Sequence, residues 1–260
     1  MSALPLNVQR LGEGPPLLIT HGLFGSGTNW RTLARSLASR WDVLLVDARN
    51  HGRSPHTDSM TYTEMATDLI RVLDDAGLAH AHVLGHSMGG KAVMTMALMN
   101  ASRVSSLAVA DIAPIAYTHR FGVELQAMES LDLSQVTRRS DAQVQMAELI
   151  PDANLAAFLL QNLQVDANGA RWRINLPAIR ANEPHLVGFE QHSQTFASTT
   201  TFIRGALSDY VQDNYTDAIR RLFPNAAIAT VDGAGHWLHA ERPQPFLEAL
   251  QSHLNRALQA

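Results

Sequence analysis

The sequence predicts an α/β protein with a mostly parallel central sheet, helices on both faces and one inserted helical cap. Short runs of nearly continuous apolar residues alternate with amphipathic segments of helical spacing, which is typical of a parallel sheet covered on both sides. The alternation stops at about residue 115 and resumes near residue 195. We therefore expect a core domain formed by residues 1–114 and 195–260, and a cap formed by residues 115–194.

Each predicted element rests on a local pattern of apolar residues and on the residues that end it. In the segment 63–76, Ala66, Leu69 and Leu73 share one helical face, and Gly77 follows as a helix-ending glycine. Short apolar runs bounded by polar or glycine-rich stretches predict strands. The predicted strands are residues 4–10, 17–20, 42–46, 81–84, 107–110, 200–204 and 226–231. The other predicted helices are residues 30–39, the segment from the serine turn to about residue 100, and residues 215–222 and 243–258.

The composition excludes several classes of protein. The chain has 260 residues, of which 46% are hydrophobic and 17% charged, with a net charge of −4. No basic block is present, so neither nucleic acid nor an anionic membrane is an expected partner. The absence of cysteine excludes disulfides, thiolate metal sites and a cysteine nucleophile. No apolar stretch approaches the ~20 residues of a membrane span, and the N-terminus lacks a signal-peptide pattern. We expect a cytoplasmic monomer or small homo-oligomer.

The most informative motif is a Gly-x-Ser-x-Gly sequence that joins a predicted strand to a predicted helix. Gly85, Ser87 and Gly89 form it. This pattern is a nucleophile elbow, in which the serine hydroxyl projects from a sharp strand-to-helix turn. The glycines are needed because the strained turn brings backbone segments too close for a Cβ atom. The motif predicts Ser87 as a nucleophile.

The partners of Ser87 are expected in loops that follow other strands. His236 lies in a glycine-rich loop after the last strand and is the predicted general base. An oxyanion hole needs two backbone N–H groups, one of them from the residue after the nucleophile. Met88 and Leu23 are the predicted donors. His239 forms a His-x-x-His pair with His236, but no third ligand is evident, so we predict no metal site.

Five sequence segments carry a resemblance that is more specific than the Gly-x-Ser-x-Gly motif. They occupy residues 21–26, 47–54, 85–94, 111–114 and 233–241, and include Arg-Asn-His-Gly and Gly-Gly-Lys-Ala-Val-Met. On the basis of these segments, the chain resembles the α/β-hydrolases along its whole length, and most specifically the small bacterial esterases of the YbfF type and their mitochondrial relatives. The resemblance implies an α/β-hydrolase fold and esterase or thioesterase activity on small acyl esters, without a cofactor.

The acid that orients His236 has two candidates. Many α/β-hydrolases carry it as Gly-x-x-Asp after the strand that corresponds to residues 200–204, but here Ser208 stands at that place and Asp209 one position later. The YbfF-type pattern also has serine there and implies Asp111. Asp111 ends a buried strand, where an unpaired carboxylate is costly. We favour Asp111 and keep Asp209 as the alternative.

The predicted function is that of a serine hydrolase cleaving carboxylic or thio esters of short-to-medium acyl chains through an acyl-enzyme on Ser87. Phe24, Trp237 and Leu238 adjoin the predicted oxyanion donors and base, so we expect them to line the substrate pocket. Cofactor-free haloperoxidases and carbon–carbon bond hydrolases share the same triad and stay open as alternatives. A hydrolase-fold receptor for a small molecule is a further alternative.

Overall fold

The computed structural model describes residues 3–118 and 121–259, and its centre is a seven-stranded sheet. The strand order is β1-β3-β2-β4-β5-β8-β9; β1 is antiparallel to β3, and the other pairs are parallel. The predicted mostly parallel sheet is therefore confirmed. Its strands are β1 (Val8–Leu11), β2 (Pro16–Thr20), β3 (Asp42–Val46), β4 (Ala81–His86), β5 (Val104–Ala110), β8 (Thr200–Gly205) and β9 (Ala226–Val231).

Helices cover both faces of this sheet. Buried side chains of α2, α3 and α8 pack on one face together with those of the inserted segment, and α1 and α10 pack on the other. In the described residues the helices are α1 (Arg31–Leu37), α2 (Tyr62–Asp75), α3 (Met88–Met99), α4 (Gly122–Ser130), α5 (Arg139–Leu149), α6 (Ala153–Leu160), α7 (Leu176–Val187), α8 (Thr216–Leu222), α9 (Leu238–Glu241) and α10 (Pro243–Ala257). None of these helices has the length and apolar character that a bilayer crossing needs.

The segment between β5 and β8 contains α4–α7 and a small hairpin that the sequence reading missed. The hairpin strands are β6 (Leu163–Asp166) and β7 (Gly169–Trp172), which pair antiparallel. Asn168 and Gly169 stand at its turn, where Gly169 has φ +98°. Residues 119–120 of the predicted cap lie outside the described residues. The division into a core and a cap domain stays a prediction.

The first strand begins later than predicted because side chains hold the backbone before it. The Leu4 N–H donates to Asp68 Oδ1 at 2.7 Å, and the Asn7 N–H donates to Ser54 Oγ at 2.8 Å. The prediction placed residues 4–10 in one strand, but the register with β3 begins at Val8, and before it the Asn7 carbonyl oxygen accepts from the Asp47 N–H at 3.0 Å. The predicted bounds of β3 and β9 match the structure, and the other element ends shift by a few residues.

A buried chain of hydrogen bonds ties α10 to the sheet. His82 Nδ1 lies 2.8 Å from Ser106 Oγ, which lies 3.0 Å from His253 Nε2. His253 Nδ1 lies 2.9 Å from Thr201 Oγ1, which accepts from Arg256. Burial lowers the pKa of His253 to about 3 and also lowers the pKa of His82. Both imidazoles are therefore neutral in the folded protein near neutral pH.

This network predicts a loss of stability in acid. Between the ordinary histidine pKa of about 6.5 and the folded pKa of His253 at about 3, the unfolded chain binds the extra proton, so the free energy of unfolding falls as pH falls. The expected slope is about 1.4 kcal/mol per pH unit for each such histidine. Urea unfolding of wild type and His253→Gln at pH 6.5 and 5.0 measures it. An unchanged slope in the variant would contradict the prediction.

Candidate active site

The turn between β4 and α3 holds Ser87 in a strained backbone conformation. Ser87 has φ 52° and ψ −117°, a region that side-chain-bearing residues rarely adopt. The turn is closely packed: a Cβ on Gly85 would overlap the Gly89 carbonyl oxygen, and one on Gly89 would lie 2.5 Å from the His21 carbonyl oxygen. Only glycine fits at these two positions.

His236 connects Ser87 to Asp111 through both of its ring nitrogens. His236 Nε2 lies 3.1 Å from Ser87 Oγ, and Nδ1 lies 2.8 Å from Asp111 Oδ2. The Asp111 side chain is fully buried, and the His236 side chain is 22% exposed. If Nδ1 carries the proton toward the carboxylate, Nε2 is free to accept the proton of the Ser87 hydroxyl. This geometry is that of a nucleophile, a base and an orienting acid.

The structure brings Asp111, not Asp209, to the histidine. Asp111 Oδ1 accepts the Gly205 N–H at 3.0 Å, and Oδ2 accepts a short hydrogen bond from the Ser208 hydroxyl. Asp209 is exposed at the surface, and its carboxylate accepts from Gln212 Nε2. The alternative acid therefore has no place in this hydrogen-bonded chain, because the chain after β8 turns its side chain to solvent.

The two predicted oxyanion donors belong to the start of α3 and to the loop after β2. Met88 is the first residue of α3, where backbone N–H groups have no partner within the helix. Leu23 belongs to the loop after β2 and lines the same cavity as Ser87. His51 supports this loop: its Nδ1 bonds to the Arg49 carbonyl oxygen, and its Nε2 accepts the Phe24 N–H at 3.3 Å.

The support from His51 depends on a neutral ring. Burial lowers the pKa of His51 to about 3, so Nε2 keeps the lone pair that accepts the Phe24 N–H. The neighbouring His21 is also buried, which lowers its pKa, and its Nε2 accepts the Ala48 N–H at 3.0 Å. The loop 47–51 therefore holds the loop 21–25 in place through two neutral imidazoles.

A cavity of about 220 Å³ opens above Ser87 and His236. Phe24 and Trp237, two of the three residues predicted for a substrate pocket, line this cavity. The prediction for Leu238 was wrong: its side chain is fully buried in the core beneath α10, because the first turn of α9 points it inward. Further apolar residues of the lining are Leu23, Trp30, Phe121, Leu155 and Phe158.

Comparisons with known proteins identify the family. Residues 15–243 match the family described as the alpha/beta hydrolase fold. The chain belongs to the α/β-hydrolase family. Esterase YbfF of Escherichia coli is 38% identical over 95% of this chain and 96% of that protein. The mouse sn-1-specific diacylglycerol lipase ABHD11 is 38% identical over 96% of this chain and 85% of that protein. The predicted resemblance is therefore confirmed, and the chain is a hydrolase.

A solved structure supports the same assignment. The structure titled "Marine microorganism esterase" superposes with a TM-score of 0.94 at 36% identity, covering 96% of this chain and 100% of that one. The predicted α/β-hydrolase fold is confirmed.

Two further buried histidines, His86 and His239, make contacts around the loop that carries His236. His86 Nε2 donates to the His236 carbonyl oxygen at 2.9 Å, and the His239 ring stacks on Trp30 with centroids 4.2 Å apart. Burial lowers the pKa of His239 to about 3 and that of His86 well below the ordinary value. Among the described residues, no group of three His, Cys, Asp or Glu side chains could hold a metal ion.

Sequence reasoning missed two residues that contact Asp111 and His236. Ser208 bonds to Asp111, and the Tyr210 ring stacks on His236 with centroids 4.0 Å apart. The position of Ser208 could have indicated this contact, since Ser208 stands where many α/β-hydrolases carry the acid that orients the histidine. No sequence feature near Tyr210 indicates its contact, because the local pattern does not show that the loop after β8 folds across His236.

The geometry predicts different effects for two aspartates. Asp111→Asn should lower kcat about 10²–10⁴-fold, because an amide stabilises the wrong tautomer of His236 and cannot stabilise the imidazolium. Asp209→Asn is the matched control and should leave kcat within about twofold, as expected for a surface side chain. Ester hydrolysis and a melting temperature for each variant measure this. Equal losses in the two variants would refute the assignment of Asp111.

Proposed function

We propose that this hydrolase is a serine esterase that cleaves carboxylic or thio esters of short-to-medium acyl chains, without a cofactor. Ester hydrolysis in general is what the esterase relatives support. The observation that carries the finer proposal is the hydrogen-bonded chain from Ser87 through His236 to Asp111 at the floor of an apolar cavity.

In the proposed mechanism, Ser87 Oγ attacks the acyl carbonyl carbon while His236 Nε2 takes the hydroxyl proton. The carbonyl oxygen becomes an oxyanion that the Leu23 and Met88 N–H groups stabilise. The carbon–oxygen or carbon–sulfur bond then breaks, and His236 gives its proton to the leaving alcohol or thiol. Water, deprotonated by His236, hydrolyses the acyl-enzyme and restores Ser87.

The size and lining of the cavity support short-to-medium acyl chains. Its volume of about 220 Å³ is below the ~300–1,000 Å³ of pockets that hold drug-sized ligands. Phe24, Phe121 and Phe158 provide apolar surface for an acyl chain. A long acyl chain would have to extend past these rings into the open groove beyond Phe158 and Trp237.

Hydrolysis of p-nitrophenyl butyrate by wild type and Ser87→Ala tests the proposal. We expect rapid turnover by the wild type and a loss of about 10⁴-fold or more in kcat in the variant, since the nucleophile is removed. An acyl series from acetate to palmitate should give a maximum at short or medium length. Absent turnover in a folded wild type would favour the receptor alternative, and turnover that survives Ser87→Ala would contradict the proposal.

A further inference from the structure

Lys91 occupies a position that is unfavourable for a lysine in two ways. It is only 1% exposed, although burying an ammonium group costs free energy. It is also the fourth residue of α3 (Met88–Met99), and a cation near a helix N-terminus opposes the helix dipole. A lysine kept in such a place needs an explanation from its surroundings.

The ammonium group contacts neutral groups only in the part of the chain that the structure describes. Lys91 Nζ donates to the carbonyl oxygens of Val187 at 2.9 Å and Gly188 at 2.5 Å. It lies 4.8 Å from the ring centroid of Tyr117 and 5.6 Å from that of Tyr62. No carboxylate pairs with it among the described residues, so its positive charge is not neutralised by an ion pair.

Lys91 lines a small cavity next to the proposed oxyanion hole. This second cavity has room for about one water molecule, with a volume of about 10 Å³. Lys91 lines it together with Ser87, Leu23 and Met88. The nucleophile and both proposed oxyanion donors therefore line one cavity together with Lys91, and a cavity of this size has little room for water that would screen the charge.

We propose that the Lys91 ammonium stabilises the oxyanion through space, from the small cavity that Leu23 and Met88 also line. Negative charge develops at this place in the transition state, and a preorganised positive charge in a site of low dielectric favours it. Lys91 does not touch the reacting atoms. This inference rests on the proposed acyl transfer at Ser87.

The proposal implies a pH dependence. Burial lowers the pKa of Lys91 to about 7, so the charge is present below this pH and is lost as pH rises through it. The tyrosines around the cavity stay neutral, because burial raises the pKa of each, that of Tyr210 to about 12. Among the described residues, the titratable side chains that line this cavity besides Lys91 are Tyr62 on α2, Tyr117 after β5 and Tyr210 after β8. The negative charge of Asp111 further raises the pKa of Tyr117 and of Tyr210, and that of Glu124 raises the pKa of Tyr210.

A purely structural role for Lys91 is the competing explanation. The same ammonium group ties α3 to the end of α7, and Tyr62 makes a similar tie, since its hydroxyl donates to the Leu186 carbonyl oxygen at 2.6 Å. Tyr62→Phe removes a tie to the end of α7 and leaves the charge of Lys91 in place. It is therefore a matched control for the loss of anchoring.

The experiment measures kcat and KM for p-nitrophenyl butyrate from pH 5.5 to 9 in wild type, Lys91→Met, Lys91→Arg and Tyr62→Phe. At pH 6.5, Lys91→Met should lower kcat about tenfold, less than the loss of a direct oxyanion donor, with KM changed less than about threefold. Above pH 8 the ratio of wild-type to Lys91→Met kcat should fall toward one, because the wild-type lysine has lost its proton. Lys91→Arg should keep much of the activity at high pH, and Tyr62→Phe should stay within about twofold of wild type.

Two results would overturn the inference. One is a wild-type to Lys91→Met ratio that does not change with pH. The other is an equal loss of kcat in Tyr62→Phe and Lys91→Met, which would assign the effect to the anchoring of α7. Melting temperatures identify a variant that fails to fold, and in that case the alkaline fall of wild-type kcat decides. A failure of the proposed function would be seen in a different variant: turnover would survive Ser87→Ala, whatever the Lys91 variants show.

Discussion

The close packing that holds Ser87 at a positive φ angle is the constraint on which the rest of the site depends. β4 lies between β2 and β5 in the sheet, and the Ser87 N–H donates to the Ala110 carbonyl oxygen at 3.0 Å. A backbone in this region costs about 1–3 kcal/mol and persists only where the surroundings enforce it. Gly85 and Gly89 allow that enforcement, because they let backbone segments approach without a Cβ between them.

The parallel sheet then determines which residues meet Ser87. The carboxyl ends of β2, β4, β5 and β8 share one edge, and the loops after them bring Leu23, Met88, Asp111 and Ser208 together with Ser87. The loop after β9 adds His236. Buried neutral imidazoles fix the loops around this edge, because an uncharged ring can donate with one nitrogen and accept with the other. These hydrogen bonds tie the loops at this edge to one another.

The sequence was informative wherever one residue type is required for a local physical reason. The strained elbow needs Gly85 and Gly89, so it could be predicted from local physics, whereas Asp111 was favoured over Asp209 through the YbfF-type pattern together with the cost of an unpaired carboxylate at a buried strand end. The β6–β7 hairpin was missed because its short strands are partly exposed and show little apolar periodicity. The stacking of Tyr210 on His236 and the inward turn of Leu238 depend on how loops pack in three dimensions, which local patterns do not specify.

Direct detection of the acyl-enzyme tests the central claim most sharply. The wild-type protein is mixed with p-nitrophenyl butyrate, quenched in acid within milliseconds and analysed by intact-protein and peptide mass spectrometry, with His236→Ala and Ser87→Ala as comparisons. The mechanism predicts one butyryl group on the peptide that contains Ser87, and none in Ser87→Ala. Butyrate released with no acyl adduct, or an adduct on another residue, would contradict the account.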